Sequence, residues 1–286
     1  MELSVNLGYA RKMRGTGQKR AIKDAAQIIK AAGFNYVDAG VAGLVQEDNW
    51  QEIFKQAKFD IEEAGLTIHQ THAPYNFKDF TADEYKELMR RSFEASNILG
   101  AEHIVIHADN YEPGEKGFNP DEALESICEF YSPYVDYAKK VGLKVAVENL
   151  FEGKPIDTYE MSERTRYTSS VEEQLAVIEH FNDPIVTGCW DFGHGQVSYR
   201  YNYMEGFKKI GKYLTSTHVH DNIWGFDLHN IPFHGDIPWE EVMPFMKEIG
   251  YKGKFTMEMV YGDIPDALLP NHLKLWYDTG KYLVNL

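Results

Sequence analysis

Four side chains stand where a soluble protein has little reason to place them. Glu148 lies in VAVENL, Asp191 in CWDFGHG, His218 in THVHDN and Glu258 in FTMEMV, each within a run that reads as buried. Burying an unpaired carboxylate costs on the order of several kcal/mol, so a metal ion, an arginine or a raised pKa must compensate. No arginine occurs in the β-rich runs that carry these residues, which favours the metal. Three carboxylates and one imidazole suit Mn²⁺, Mg²⁺, Co²⁺ or Zn²⁺, with positions left open for water or substrate. His72, His107, His194, Asp227 and His229 end similar runs or follow them closely and have the same ligand chemistry. A single histidine near a strand end is more often structural than a ligand. The weight lies in several strand ends offering ligands together.

Such a set needs a frame that brings distant segments to one place. Eight short β-rich runs recur along the chain: 3–8, 35–40, 66–72, 103–109, 144–150, 185–193, 214–221 and 254–260. Between them lie amphipathic stretches with apolar residues at three- and four-residue spacing, such as WQEIFKQAKFDIEEAG and EYKELMRRSFEASNILG. Gly33, Gly65, Gly100, Gly142, Gly211 and Gly250 stand where helices should end, Thr81 to Glu84 and Ser170 to Glu173 read as capping boxes, and Asn119-Pro120 as an N-cap with Pro in the first turn. Strict alternation of eight strands and eight helices predicts a parallel α/β sheet closed into a single-domain (β/α)8 TIM barrel over residues 1–286. In that fold active sites form at the C-terminal ends of the strands, where these residues fall. Period-2 alternation turns Ala146, Glu148, Thr256 and Glu258 inward, and Val145, Val147, Phe255, Met257 and Met259 toward the helices.

Composition narrows the function. No Gly-rich dinucleotide fingerprint follows the first strand, so no nucleotide cofactor is expected. A net charge of −15 argues against a nucleic-acid partner. No run approaches the ~20 apolar residues of a membrane span, the start lacks a signal-peptide layout, and two cysteines, Cys128 and Cys189, suggest no disulfide framework; a reducing cytoplasm is expected. One basic exception is Arg11, Lys12, Arg14, Lys19 and Arg20, spaced by Gly15 and Gly17, which reads as a solvated loop or an anion-binding one. The stretch after the fifth strand is long enough to be a lid, and its Lys154, Arg164 and Arg166 read equally as ligands for a phosphate or carboxylate and as plain solvated charges. Tyr199, Tyr201 and Tyr203 after the sixth strand, and Trp224 and Phe226 after the seventh, are candidates to wall off a ligand ring, to pack in the core or to form a homo-oligomer contact.

In order and spacing, THAPYNF, HIVIHAD, VAVENL, CWDFGHG, THVHDN, DLHNIPFHGDI and FTMEMV resemble the xylose isomerase-like TIM-barrel superfamily over nearly the whole chain. That superfamily holds sugar and sugar-phosphate isomerases and epimerases, inosose dehydratase-type enzymes and endonuclease IV. The resemblance implies a metal held by Glu148, Asp191, His218 and Glu258. Glu148 and Glu258 then act as acid and base on a carbon beside a carbonyl while the metal stabilises an enediolate. It implies substrate contact by His194, and by extension His72, His107, Asp227, His229 and Trp224, with a small sugar or sugar phosphate as partner. The endonuclease IV pattern is also matched: His72 and His107 with Glu148 would hold a second metal, and His194, Asp227 and His229 a third. That alternative is a multi-zinc phosphodiester hydrolase. Two departures stand out. The arginine that ketose 3-epimerases carry after the strand-7 histidine is missing from DNIWGFD, where Trp224 stands near its place, which speaks against that subgroup. His234-Gly235-Asp236 replaces a common Gly-x-Gly turn.

Overall fold

The computed structural model describes residues 1–75, 77–114, 117–223, 225–259 and 264–286. Among the described residues eight strands are present: β1 (Glu2–Asn6), β2 (Tyr36–Gly40), β3 (Thr67–His72), β4 (His103–Ile106), β5 (Lys144–Glu148), β6 (Val186–Asp191), β7 (Leu214–His218) and β8 (Lys254–Met257). They lie in the order β7-β6-β5-β4-β3-β2-β1-β8, and every ladder is parallel. The remaining seam, between β7 and β8, is drawn together just past the strand ends. Val219 bridges Met257, its N–H donates to Thr256 O at 2.8 Å, and Glu258 N–H donates to Val219 O at 3.0 Å. The sheet is a closed (β/α)8 barrel, as expected.

Around it run α1 (Leu7–Arg11), α2 (Ile22–Ala32), α3 (Trp50–Glu63), α4 (Ala82–Leu99), α5 (Pro120–Val141), α6 (Val171–Phe181), α7 (Phe192–Tyr199), α8 (Tyr203–Ile210), α9 (Trp239–Glu248) and α10 (Leu269–Leu283). Among the described residues none of them is long and apolar enough to cross a membrane. The two helices beyond eight are α1 and α7, each one or two turns inserted directly after a strand. Both expected capping boxes form, and Asn119 caps α5 through its side-chain oxygen. Gly33, Gly100 and Gly142 close their helices in the left-handed region. Gly211 does not, since its φ is −44°. Its value is space, because a Cβ there would lie 3.0 Å from the Phe245 ring of α9.

Alternation sorts the core into two parts. Val145, Val147, Phe255, Met257 and Met259 join the large apolar layer between barrel and helices. Val105, Ala146 and Cys189 form a small separate cluster inside the barrel. Polar groups complete that interior: Gln70 Nε2 donates to Asp38 at 3.3 Å, and Thr256 Oγ1 donates to Gln70 Oε1 at 3.3 Å. The narrow apolar band separates a polar mouth from a polar floor. At the floor the β2–β3 register skips His69, since Val37 pairs with Ile68 and Asp38 with Gln70. Such a bulge re-aims a side chain. Cys128 and Cys189 are buried and free.

Candidate metal centre

Glu148 ends β5 and is 1% exposed, with its two oxygens facing different partners. Oε2 lies 3.1 Å from His72 Nε2 and 3.1 Å from His107 Nε2. Oε1 lies 3.0 Å from His218 Nδ1 and 3.4 Å from His194 Nδ1. His218, at the end of β7, also stands 3.2 Å from Glu258 Oε2 and 3.8 Å from Asp191 Oδ2 through the same nitrogen. The four residues expected to share a metal therefore converge, contributed by β5, β6, β7 and the residue after β8. A third group forms above them, where His229 Nε2 is 3.3 Å and His194 Nε2 3.8 Å from Asp227 Oδ2.

The ring orientations test whether these residues suit a cation. His72 Nδ1–H donates to Ala73 O at 2.7 Å, His194 Nδ1–H to Asn149 O at 3.0 Å, and His229 Nδ1–H to Glu258 O at 2.9 Å. A carbonyl can only accept, so Nδ1 carries the proton and the Nε2 lone pair of the neutral ring faces a carboxylate. Two acceptors at such distances require a proton or a metal ion between them. Metal-binding histidines are held in this way by backbone carbonyls. Protonating every ring would instead crowd positive charge, because the His72 ring lies 4.9 Å from that of His107 and 5.5 Å from that of His218. The donor set fits a divalent metal.

In the metal-free protein the same carboxylates draw protons onto the rings in place of a cation. Burial alone would raise the Glu148 carboxyl, but the charges of His218 and His107 hold it well below the usual range. Burial opposes charge on His194, yet Asp191 and then Asp227 and Glu148 lift it well above an ordinary imidazole. His229 is raised to about 9 against the same burial, first by its contact with Asp227.

Local chain chemistry explains the positions. Asp191 caps α7 by accepting from His194 N–H at 2.6 Å, so one residue fixes both ligands. Gly193 is required because a methyl there would collide with the His220 ring. The segment carrying Asp227 and His229 is folded around two side chains. Asp221 accepts from Phe233 N–H, Ile237 N–H and Trp239 Nε1–H at 2.9, 3.2 and 2.9 Å, and Asn222 Oδ1 from Leu228 N–H at 2.6 Å. His229 takes a left-handed φ of 49°, a strained state for a non-glycine residue and one that concentrates at functional sites.

The strand-7 run THVHD also offers His220, and two further contributors, Asp38 and Asn149, lie outside the set that the sequence marks. His220 lies 3.0 Å from Asp191 Oδ2 and stacks on His229 at 3.8 Å; its signal is the HVH spacing that turns both rings inward. Asp38 lies 3.7 Å from His218 Nε2, and its signal is a carboxylate in the apolar run NYVDAG. Asn149 clamps Asp191, accepting from its N–H at 2.7 Å and donating to its carbonyl at 3.0 Å. Trp224 lies outside the described residues. The expected lid cations are answered internally: Arg164 pairs with Glu173, Arg166 with Asp109 at 3.3 Å and Lys154 with Glu163 at 2.8 Å. Tyr199 and Tyr203 are not mouth residues. The segment folds into helices, Tyr203 is buried against Trp190, and Tyr199 accepts from Val171 N–H at 2.6 Å; Tyr201 remains fully exposed.

The centre opens into a cavity of about 760 Å³, ample for a monosaccharide derivative, reached by Glu148, Glu258, His194 and His229. A family model described as "Xylose isomerase-like TIM barrel" matches residues 26–279, and the chain belongs to that family. It is 23% identical to fructoselysine 3-epimerase of Escherichia coli O157:H7 over 202 residues, 68% of this chain and 67% of that one. Among solved structures it is similar to D-psicose 3-epimerase with D-tagatose from Clostridium cellulolyticum H10, with 16% identity, a TM-score of 0.75 and 99% of each chain covered. It is also similar to the IOLI protein with a binding zinc atom, with 16% identity, a TM-score of 0.74, and 100% of this chain and 98% of that one covered.

Proposed function

We propose that this protein is a divalent-metal-dependent isomerase or epimerase of a sugar or sugar derivative. The observation that carries this reading is the convergence of two carboxylates from different strands on one point. Glu148 Oε1 and Glu258 Oε2 lie 3.0 and 3.2 Å from the same His218 nitrogen and face one cavity. Glu148, Asp191, His218 and Glu258 would hold the metal, which supplies polarisation of neighbouring substrate oxygens and so acidifies the adjoining C–H. Glu258, 15% exposed at its side chain, takes or returns the proton beside the carbonyl, and Glu148 serves from the opposite strand. His194, His229 and Asp227 orient hydroxyls from the cavity wall. The epimerases among its relatives support the choice. Incubation of the Mn²⁺-, Co²⁺- or Zn²⁺-loaded protein with ketoses and aldoses in D₂O is expected to place deuterium beside the carbonyl. Absence of exchange with every sugar and metal sinks the reading.

A second reading has its own observation. His72, Glu148 and His218, and separately His194, Asp227 and His229, place ligand atoms within 4.8 Å of one another, as further metals would need. An endonuclease IV-like hydrolase requires about three metals per chain and EDTA-sensitive nicking of an abasic duplex. One metal per chain and an intact duplex remove it.

A further inference from the structure

The basic segment 10–20 is built rather than loose, and it faces the cavity. Arg11 ends α1, directly after β1. Lys12 and Lys19 form an antiparallel bridge, Arg20 N–H donates to Arg11 O at 2.6 Å, and Gly15 and Gly17 turn the tip at φ of 67° and 65°. Arg20 underpins this hairpin from behind, donating to Ala10 O and pairing with Asp266 at 3.1 Å. Arg11 Nε–H donates to Arg20 O at 3.2 Å, which fixes the plane of its guanidinium. Lys19 reaches across to the segment after β2, where a Cβ on Gly43 would lie 3.6 Å from its Nζ. Arg11, Lys19 and Gly43 line the same cavity as Glu148 and Glu258.

Of the cations that line this cavity, Arg166 meets Asp109, whereas among the described residues no carboxylate answers Arg11 or Lys19. Arg20, Arg90, Arg91, Arg164 and Arg166 each meet one. Arg11 and Lys19 form no ion pair among the described residues, in a chain of net charge −15. Arg11 is half-buried, and that burial pushes its pKa down with no acid to offset it. Burying part of an unpaired guanidinium is costly unless a ligand supplies the counter-charge.

We propose that Arg11 and Lys19 form a phosphate subsite, so that the substrate is a phosphorylated sugar whose ester lies on the β1–β2 side of the cavity while its carbonyl reaches the metal centre. The two uncompensated cations match a dianionic phosphate monoester, whereas a carboxylate would leave one charge unanswered. The guanidinium fork and the neighbouring glycines give an anion close access from two sides. This assignment rests on the sugar reading, and its test separates the two.

Binding of inorganic phosphate to the metal-loaded protein is followed by ³¹P NMR, and deuterium exchange is measured with ketoses, their terminal phosphate esters and hexuronates. The expected result is a KM for the phosphate esters at least tenfold below that for the free sugars. Arg11→Gln and Lys19→Ala should each weaken phosphate binding about tenfold and remove that preference, with free-sugar exchange unchanged. Lys19 is exposed, so its variant is expected to fold even if that at Arg11 does not. Phosphate binding that the variants leave intact overturns the subsite, even if neutral sugars exchange. A hexuronate preferred with the same dependence on Arg11 also overturns it. Arg11-dependent phosphate binding without turnover of any sugar keeps the subsite and removes the epimerase reading.

Discussion

The two ends of the barrel use the same residue type for opposite purposes. At the mouth, His72, His107, His194 and His218 all approach the two oxygens of Glu148. At the floor, His69 and His103 pack edge to face at 5.0 Å and, among the described residues, form no ion pair with a buried carboxylate, Asp38 acting on His69 only from a distance. Glu102 stands 3.6 Å from His69 Nδ1 but is 59% exposed, so solvent screens it. Burial first, and then Lys254, push His69 down to about 4, and burial holds His103 well below its ordinary value. His69, Glu102 and His103 come close enough together to ligate a metal, but the charges of Lys254 and Lys144 oppose a second cation there. Buried carboxylates, not the number of histidines, separate a metal centre from a structural plug.

The largest effect that would break this comparison belongs to the carboxylate at its centre. Glu148→Gln should lower deuterium exchange by about a thousandfold and strip bound metal, as read by elemental analysis of the purified variant. A variant with wild-type metal content and exchange would mean that the histidines, not Glu148, organise the mouth. Next in size, Glu258→Gln should lower kcat by about a hundredfold or more with a much smaller change in KM, since the residue is assigned the proton transfer. A change confined to KM would reassign Glu258 to binding.

The barrel and its mouth are legible in the sequence for one reason: each relevant residue breaks a local pattern. Glu148 and Glu258 interrupt apolar runs, and Thr81, Ser170 and Asn119 mark helix starts through chemistry that acts within a few residues. What escapes depends on contacts between distant segments. His69 enters the barrel floor because β3 skips a register position against β2, which no single strand announces. Tyr199 and Tyr203 read as possible mouth aromatics because they follow the sixth strand, yet Gly193 and Gly195 allow α7 to pack closely against His220 and Trp190. Arg164 and Arg166 read as anion ligands from the chain alone, but Glu173 and Asp109 stand opposite them.

A smaller effect sharpens the floor's side of the comparison. With His69 at about 4 when folded and near 6.5 when unfolded, the unfolded chain takes up a proton that the native one refuses. Stability is therefore intact above pH 6.5 and falls as pH drops toward 4. Between pH 7 and 5 this one group removes about 2 kcal/mol, since each tenfold rise in proton activity below pH 6.5 favours the unfolded chain by about 1.4 kcal/mol. His69→Gln should lose that much less over the same interval in urea titrations, with metal content unchanged. Equal losses in both proteins would show that His69 is not held neutral.

The smallest effect is the most exposed to refutation. His103 is 2% exposed, and its ring nitrogens make no hydrogen bond of good geometry, only a weak approach to the His69 backbone. An imidazole in that state contributes volume and costs desolvation, so an apolar residue of similar size should serve as well or better. His103→Leu is expected to be neutral or to stabilise by about 1 kcal/mol, a rise in Tm of about 2 °C, with exchange activity and metal content preserved. A loss of about 2 kcal/mol or more, together with one metal fewer per chain, would mean that the floor histidines hold a cation despite Lys254 and Lys144. The two ends would then differ in the charge around their metals rather than in having one.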